Sequence, residues 1–296
     1  MNETSDQANR PQRSALFVPG DKPRAIEKAG GLGADALILD LEDAVAPEMK
    51  AEARNAASEA FARWAAEAPS AERVLRVNAT STGEFEADAA LAAGAEVEAV
   101  LLPKADGPDI VRAARRTLDE AGYHGPLWLM IESPAAVLNL RLITELTAPA
   151  RLFCLVAGTN DLCAGLRCHI SGEKRDTALP YLSQILLAAR AHGLAALDGV
   201  YNEFSDVSGF TFQAREARAI GFDGKTLIHP KQVDPANRAF SPSAEEVDWA
   251  RTVANEFAKP ENAGRGAIAI GGRMVERMHL DAAKAVLAAA RADGET

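Results

Sequence analysis

Ala36-Leu37-Ile38-Leu39-Asp40-Leu41-Glu42-Asp43 is the stretch on which the fold turns. Four apolar residues run without alternation and end abruptly in carboxylates. A strand solvated on one face alternates, so a continuous run of this length reads as a parallel strand buried on both faces. The pattern recurs at Ser14–Val18, Val74–Val77, Val97–Leu102, Leu127–Ile131, Leu152–Val156, Ala195–Val200 and Thr226–Ile228. Between these runs lie segments rich in Ala, Leu, Glu and Arg with helical spacing. One begins at Pro47, a residue suited to a first helical turn. It continues with Met49, Ala53, Ala57, Phe61 and Trp64 along one helix face. The runs recur at a mean step of about 30 residues, the size of one strand–helix unit, and eight such units build a (β/α)8 TIM barrel. An open, doubly wound sheet would show the same alternation. The barrel is favoured because there are eight runs and because no glycine-rich dinucleotide loop follows the first. Gly30-Gly31-Leu32-Gly33 precedes the second run and reads as the close of a helix.

The chain of 296 residues is long enough for one large domain with appendages or for two ordinary ones. A hydrophobic fraction of 48% excludes a largely disordered chain. A formal net charge of −10 argues against a general nucleic-acid binder, which needs a basic surface. No apolar run is long enough to span a membrane, and the polar N-terminus has no apolar core of a signal peptide. Three cysteines, an odd number, suit a reducing cytoplasm better than a disulfide scaffold. Cys168-His169 lacks the C-x-x-C-H spacing of a haem site, so the thiols read as buried or incidental. The expected organisation is a flexible tail over 1–12, a catalytic barrel over 13–240 and a C-terminal helical extension over 241–296. Within the extension, Ser243 and Glu246 form a helix-start signal. A flexible stretch, Lys259–Gly272, and a final helix from about Met274 to Ala290 follow.

In a barrel the reactive groups gather at the C-terminal ends of the strands. Those ends carry Asp40, Glu42 and Asp43, then Arg76 and Asn78, Lys104, Glu132, Asn160 and Asp161, Asp198, and His229. Crowded carboxylates raise one another's pKa unless something neutralises them. Mg²⁺ is commonly held by one or two carboxylates plus waters and substrate oxygens, and Asp40, Glu132 and Asp161 are candidates on position. Arg76 offers a two-pronged face to a carboxylate or a developing oxyanion. Lys22, Arg24 and Lys28 follow the first strand, where an anionic carrier would meet them. His229 reads as a structural hydrogen-bonding residue.

Several of these motifs, in order, resemble the citrate lyase β-subunit-like family of the HpcH/HpaI aldolase superfamily, which includes malyl-CoA and citramalyl-CoA lyases. The opening Arg13-Ser14-Ala15-Leu16-Phe17-Val18-Pro19-Gly20 is similar, and so is Asp40-Leu41-Glu42-Asp43-Ala44-Val45 with Lys50 and Arg54. Arg76-Val77-Asn78, Pro103-Lys104, Glu132-Ser133-Pro134, Gly158-Thr159-Asn160-Asp161 and Ile228-His229-Pro230-Lys231 follow in the family's order. The resemblance spans about Arg13 to Ala290. It implies an Mg²⁺-dependent enzyme that cleaves or forms a C–C bond of a short 3-hydroxyacyl-CoA, such as malyl-CoA or citramalyl-CoA, through a thioester enolate. It implies metal ligands at Glu132 and Asp161 and a substrate contact from Arg76; the chemistry also needs an acid or base, for which Glu276 or the Asp40, Glu42 and Asp43 group would serve. Arg13, Lys22, Arg24 and Lys28 would meet coenzyme A, which enters as part of the substrate. The family's C-terminal block commonly brings an acid to a neighbouring subunit's site. Here it reads Gly271-Gly272-Arg273-Met274-Val275-Glu276-Arg277-Met278, with Glu276 in place of the usual Asp. A homo-oligomer, trimer or hexamer, is therefore expected, with citrate lyase complex subunits as further partners. The alternatives are a malyl-CoA-type thioesterase and a citrate lyase β subunit acting on a carrier-protein thioester.

Overall fold

In the computed structural model, which describes residues 10–170 and 175–292, eight parallel strands close into a barrel in chain order. They are β1 (Ser14–Pro19), β2 (Ala36–Asp40), β3 (Glu72–Arg76), β4 (Ala99–Leu102), β5 (Leu127–Ile131), β6 (Leu152–Ala157), β7 (Ala195–Asp198) and β8 (Gly224–Leu227). β1 runs in register with β2 from Ala15 opposite Ala36 to Pro19 opposite Asp40. It closes the ring on β8 through Ser14 opposite Lys225. Parallel neighbours need a long crossover, and helices supply it. One of these is Lys50–Glu67, led in by a 3₁₀ turn at Pro47–Met49, with Ala53, Ala57, Phe61 and Trp64 buried.

The two-residue period of the strands sorts side chains between two cores. Ala15, Ile38, Val74, Leu101, Trp128, Met130, Cys154 and Val156 fill the lumen. Leu16, Leu37, Leu39, Leu75, Val100, Leu129 and Leu155 join the jacket of helices. The same parity carried upward sends Asp40, Arg76 and Glu132 into the mouth. It sends Asp198 and Lys225 outward, beneath helix Val207–Ile220.

The strand edges differ from the sequence expectation by one or two residues. β3 begins at Glu72 and ends at Arg76, leaving Val77 beyond it; β7 ends at Asp198; β8 begins at Gly224. Gly224-Lys225 does not look like a buried strand, but the lysine is fully buried because charges meet it there. Lys225 Nζ donates to Asp198 Oδ2 at 2.6 Å, and Arg175 Nη1 donates to both Asp198 oxygens at 2.7 and 2.6 Å. Arg175 Nε also reaches Glu216 at 2.6 Å.

The described residues divide into two compact units, one spanning Gln12–Phe240 and the other containing the described residues from Ser241 onward. Of the expected tail over 1–12, residues 1–9 lie outside the described residues, and Gln12 is buried with its amide on Glu72 at 2.6 Å. In the second unit Ser243 and Glu246 form the expected capping box of helix Ala244–Ala258. The expected flexible stretch is instead partly ordered as a strand. β9 (Ala267–Ile270) pairs antiparallel with β10 (Arg273–Glu276), and the final helix starts at Arg277. Ile268, Ile270 and Val275 pack with Ala250, Val253 and Ala283. No helix among the described residues is long and apolar enough to cross a membrane.

Removing one partner of a buried ion pair strands the other charge, which costs about 3–5 kcal/mol. Asp198→Ala is expected to destabilise the protein by that amount in urea unfolding, and a loss below about 1 kcal/mol would contradict the buried network. Burial pushes Lys225 down to about 8 despite the pull of Asp198. An unfolded lysine titrates near 10.4, so between about pH 8 and pH 10 the unfolded chain binds the extra proton. The contribution of Lys225 to stability therefore rises with pH in that window. The urea midpoint of wild type relative to Lys225→Met should shift toward wild type across it. A constant difference would count against the assignment.

Candidate active site at the barrel mouth

A cavity of about 350 Å³ opens at the C-terminal ends of the strands, with Asp40, Asp43, Arg76, Glu132 and Asp161 among its walls. Arg76 is gripped side-on by Asp40: Nε donates to Oδ1 at 2.8 Å and Nη2 to Oδ2 at 2.5 Å. Its guanidinium lies 4.9 Å over the Phe17 ring, and Nη1 stands 3.0 Å from Glu42 Oε2. Two of five N–H donors are held by Asp40, so the fork is fixed and still has donors to offer. Although burial opposes the charge, Asp40 and then Glu42 raise the Arg76 pKa.

The loop that follows β2 is tied down from below. Lys50 Nζ donates to the carbonyls of Leu41 and Glu42 at 2.8 and 3.0 Å and to Asn78 Oδ1 at 2.6 Å. Asn78 in turn donates from its backbone and side chain to Asp88 Oδ2, and Arg54 holds the other Asp88 oxygen. The roles of Lys50 and Arg54 are thus structural supports of the Asp40–Asp43 turn.

Lys104 is a site residue that the sequence reading left without a role. It is non-glycine at φ 52, an uncommon left-handed conformation. That bend lets its backbone N–H donate to Glu132 Oε1 at 2.6 Å while its ammonium hydrogen-bonds Asp161. The same Nζ lies 3.6 Å from Glu132, 3.7 Å from Asp43 and 3.8 Å from Glu42. Burial lowers the Lys104 pKa, but Asp161 and the surrounding carboxylates outweigh it and hold the ammonium charged. Burial pushes the Glu42 carboxyl up to about 7, and Arg76 and Lys104 only partly offset this. Burial likewise raises Glu132.

Glu132 and Asp161 converge on one cation, the Lys104 ammonium, and are the residues that would hold a divalent ion. Both are hard oxygen donors of the kind Mg²⁺ takes. Five carboxylates here face two cations, Arg76 and Lys104, which leaves negative charge for a metal to balance. The donor set therefore fits Mg²⁺. Asp161 sits in the first turn of helix Thr159–Leu166 and does not cap it; Gly158 holds the cap position. The space for Glu132 exists because residue 158 is glycine: a Cβ there would stand 2.3 Å from Glu132 Cβ.

Several expected site residues stand elsewhere or are already engaged. Arg13 precedes β1, at the end of the barrel opposite the mouth, and is paired with Asp35 at 2.8 Å, so it is not available to coenzyme A. Asp40 has both oxygens on Arg76, and one also accepts from Glu42 N–H at 2.9 Å. It orients Arg76 and is not a free acid. Glu42 is buried and does not reach the cavity wall, whereas Asp43 does. Lys22, Arg24 and Lys28 are exposed, the first two where helix Pro23–Ala29 leaves β1. Lys28 lies in that helix's last turn. Glu276 is not a helix-start carboxylate but the exposed end of β10. His229 accepts from Lys231 N–H at 3.1 Å and stacks on Phe204 at 4.7 Å, a structural role as expected.

Fold and mouth together define a (β/α)8 barrel with an acidic site at the C-terminal ends of its strands. The chain belongs to the HpcH/HpaI aldolase/citrate lyase family, whose model matches residues 13–230. It is 40% identical over 282 residues to a (3S)-malyl-CoA thioesterase of Cereibacter sphaeroides, covering 95% of each chain. It is 34% identical over 295 residues to the citrate lyase subunit beta of Escherichia coli, covering 96% of this chain and 95% of that one. Among solved structures it resembles protein CitE of Mycobacterium tuberculosis in complex with magnesium, acetoacetate and coenzyme A. The TM-score is 0.76 at 32% identity, covering 97% of this chain and 100% of that one.

Gly158→Ala is expected to displace Glu132 and weaken Mg²⁺ binding roughly 10- to 100-fold, the usual scale for disturbing a ligand's support. Isothermal titration calorimetry measures it, with circular dichroism to verify the fold. Undiminished affinity would remove Glu132 from the metal site.

Proposed function

We propose that this chain is an Mg²⁺-dependent enzyme acting on a short 3-hydroxyacyl-CoA of the malyl type, and that it hydrolyses the thioester. The observation that carries the reading is the pairing of Glu132 and Asp161 on one cation opposite the clamped Arg76 in one cavity. The choice of bond is supported by the likeness to (3S)-malyl-CoA thioesterases along nearly the whole chain.

Glu132 and Asp161 would hold Mg²⁺, which supplies polarisation of a substrate oxygen and a fixed positive charge. Arg76, kept rigid by Asp40, offers its remaining N–H donors to a substrate carboxylate or to the oxyanion that develops at the thioester carbonyl. Losing such a donor typically lowers the rate roughly 10²–10³-fold. Asp43, the acid of the β2 turn that lines the cavity, is the residue assigned to take a proton from an attacking water. Glu276, delivered by a neighbouring copy in a homo-oligomer, is the other candidate for that proton. Lys22, Arg24 and Lys28 are assigned to the phosphates of the anionic carrier, as cations exposed on the β1 side.

C–C cleavage is the second reading, favoured by the likeness to citrate lyase subunit beta and to a structure holding acetoacetate with magnesium and coenzyme A. One experiment separates them. Protein, Mg²⁺ and (3S)-malyl-CoA are incubated, free thiol is followed with a dye, and the products are identified by mass spectrometry. Hydrolysis yields malate and free coenzyme A; C–C cleavage yields glyoxylate and acetyl-CoA. Glu132→Gln is expected to lower turnover by roughly 10² or more. Full activity in that variant or in excess chelator would sink the metal assignment.

A further inference from the structure

The spacing of Cys163 and Cys168 suits neither haem nor zinc, yet the fold brings the two thiols together. Helix Thr159–Leu166 ends in a left-handed residue, Arg167, at φ 55 and ψ 34. The Arg167 N–H donates to the Ala164 carbonyl at 3.1 Å, and the Cys168 N–H donates to the Cys163 carbonyl at 2.9 Å. These nested bonds form the Schellman closure, in which the residue three places before the cap and the residue two places after it meet side by side. Here both are cysteines, joined backbone to backbone across the cap. Cys163 is 8% exposed, and Cys168 is half-buried. Both line a second cavity, of about 770 Å³, which shares Thr159, Asn160 and Val200 with the mouth. The third cysteine, Cys154, is sealed in the barrel lumen.

We propose that Cys163 and Cys168 are a dithiol modification site that closes into an intramolecular disulfide on contact with a low-molecular-weight disulfide. The backbones are already joined across the cap, so rotation of the side chains brings the sulfurs to the bonding distance of about 2.05 Å. Cys168, the more accessible thiol, gives its proton to solvent and attacks one sulfur of the small disulfide. That S–S bond breaks, one thiol leaves with a proton, and a mixed disulfide stands on Cys168. Cys163 then attacks the Cys168 sulfur and releases the second small thiol, its own proton passing to the leaving group. In sum, two protein thiols are oxidised and one small disulfide is reduced to two thiols. The bond staples the end of the helix whose first turn carries Asp161, and it fixes one wall of the second cavity.

The test uses the folded full-length protein and oxidised glutathione. Remaining thiols are capped with N-ethylmaleimide in denaturant, and the protein is digested with trypsin without reduction. Trypsin cleaves after Arg151, Arg167 and Lys174, so the bond would join peptide 152–167 to peptide 168–174. The expected product is this linked pair with maleimide on Cys154, roughly tenfold or more above untreated protein. Cys168→Ser abolishes it. Cys163→Ser leaves glutathione held on Cys168. Maleimide on both cysteines of the treated wild type would overturn the proposal. So would a persistent mixed disulfide at Cys168 in the wild type, or a bond between the Cys168 residues of two chains. If Cys163→Ser fails to fold, the wild type and Cys168→Ser decide the matter alone.

Discussion

Negative charge confined in a barrel mouth is the constraint that organises this molecule. Closing eight strands into a ring makes their C-terminal ends converge, and the two-residue period then turns Asp40 and Glu132 inward. Like charges at this range disfavour one another's ionisation, and burial compounds it. The chain answers with Arg76, turned inward by the same parity, and with Lys104, brought in by a bent backbone. Much of the surrounding structure serves this balance. Lys50 fastens the turn after β2, Asn78 and Asp88 fasten Lys50, and Gly158 leaves space for Glu132. The outward face of the barrel repeats the theme beneath helix Val207–Ile220, where Asp198 sits between Arg175 and Lys225 with all three buried.

The barrel was legible because strands buried on both faces need uninterrupted apolar runs, and such runs are visible without any tertiary knowledge. The hairpin of the second unit was not, because its short strands leave half or more of their residues exposed. Ala267–Ile270 buries alternate residues and is flanked by glycines, so its composition resembles a linker. The site was legible as a set of strand ends and illegible as a set of contacts. Sequence places Glu132 and Asp161 at the mouth, but nothing local shows that a lysine beside Pro103 turns back between them. Arg13 shows the opposite failure. It adjoins a strong motif, but a strand of six residues spans about 20 Å, and the arginine stands at its far end. Adjacency in sequence says little about which rim of a barrel a residue occupies.

The clamp on Arg76 also explains why an arginine and an aspartate form one functional unit. A free guanidinium would have to lose its rotamer freedom on meeting a ligand. Held by two hydrogen bonds and laid over Phe17, it has already lost that freedom on folding. The ligand then meets a rigid surface, so discrimination depends on the other walls.

Gly158 adopts φ −87, a conformation open to any residue, so nothing in its backbone demands glycine. The demand comes first from the Cβ of Glu132 at 2.3 Å, an atom that every residue except glycine possesses, and then from its Oε2 at 2.9 Å and Cα at 3.2 Å. Shortening the acid to aspartate, or replacing it with any other side chain, would leave the obstruction in place. The two positions are therefore inherited as a pair with an order of loss. Position 158 becomes free to drift only after position 132 has given up a side chain altogether, and with it any carboxylate. Glycine at 158 is a lasting imprint of the neighbouring acid, and it would persist in a descendant that had already exchanged that acid for something inert.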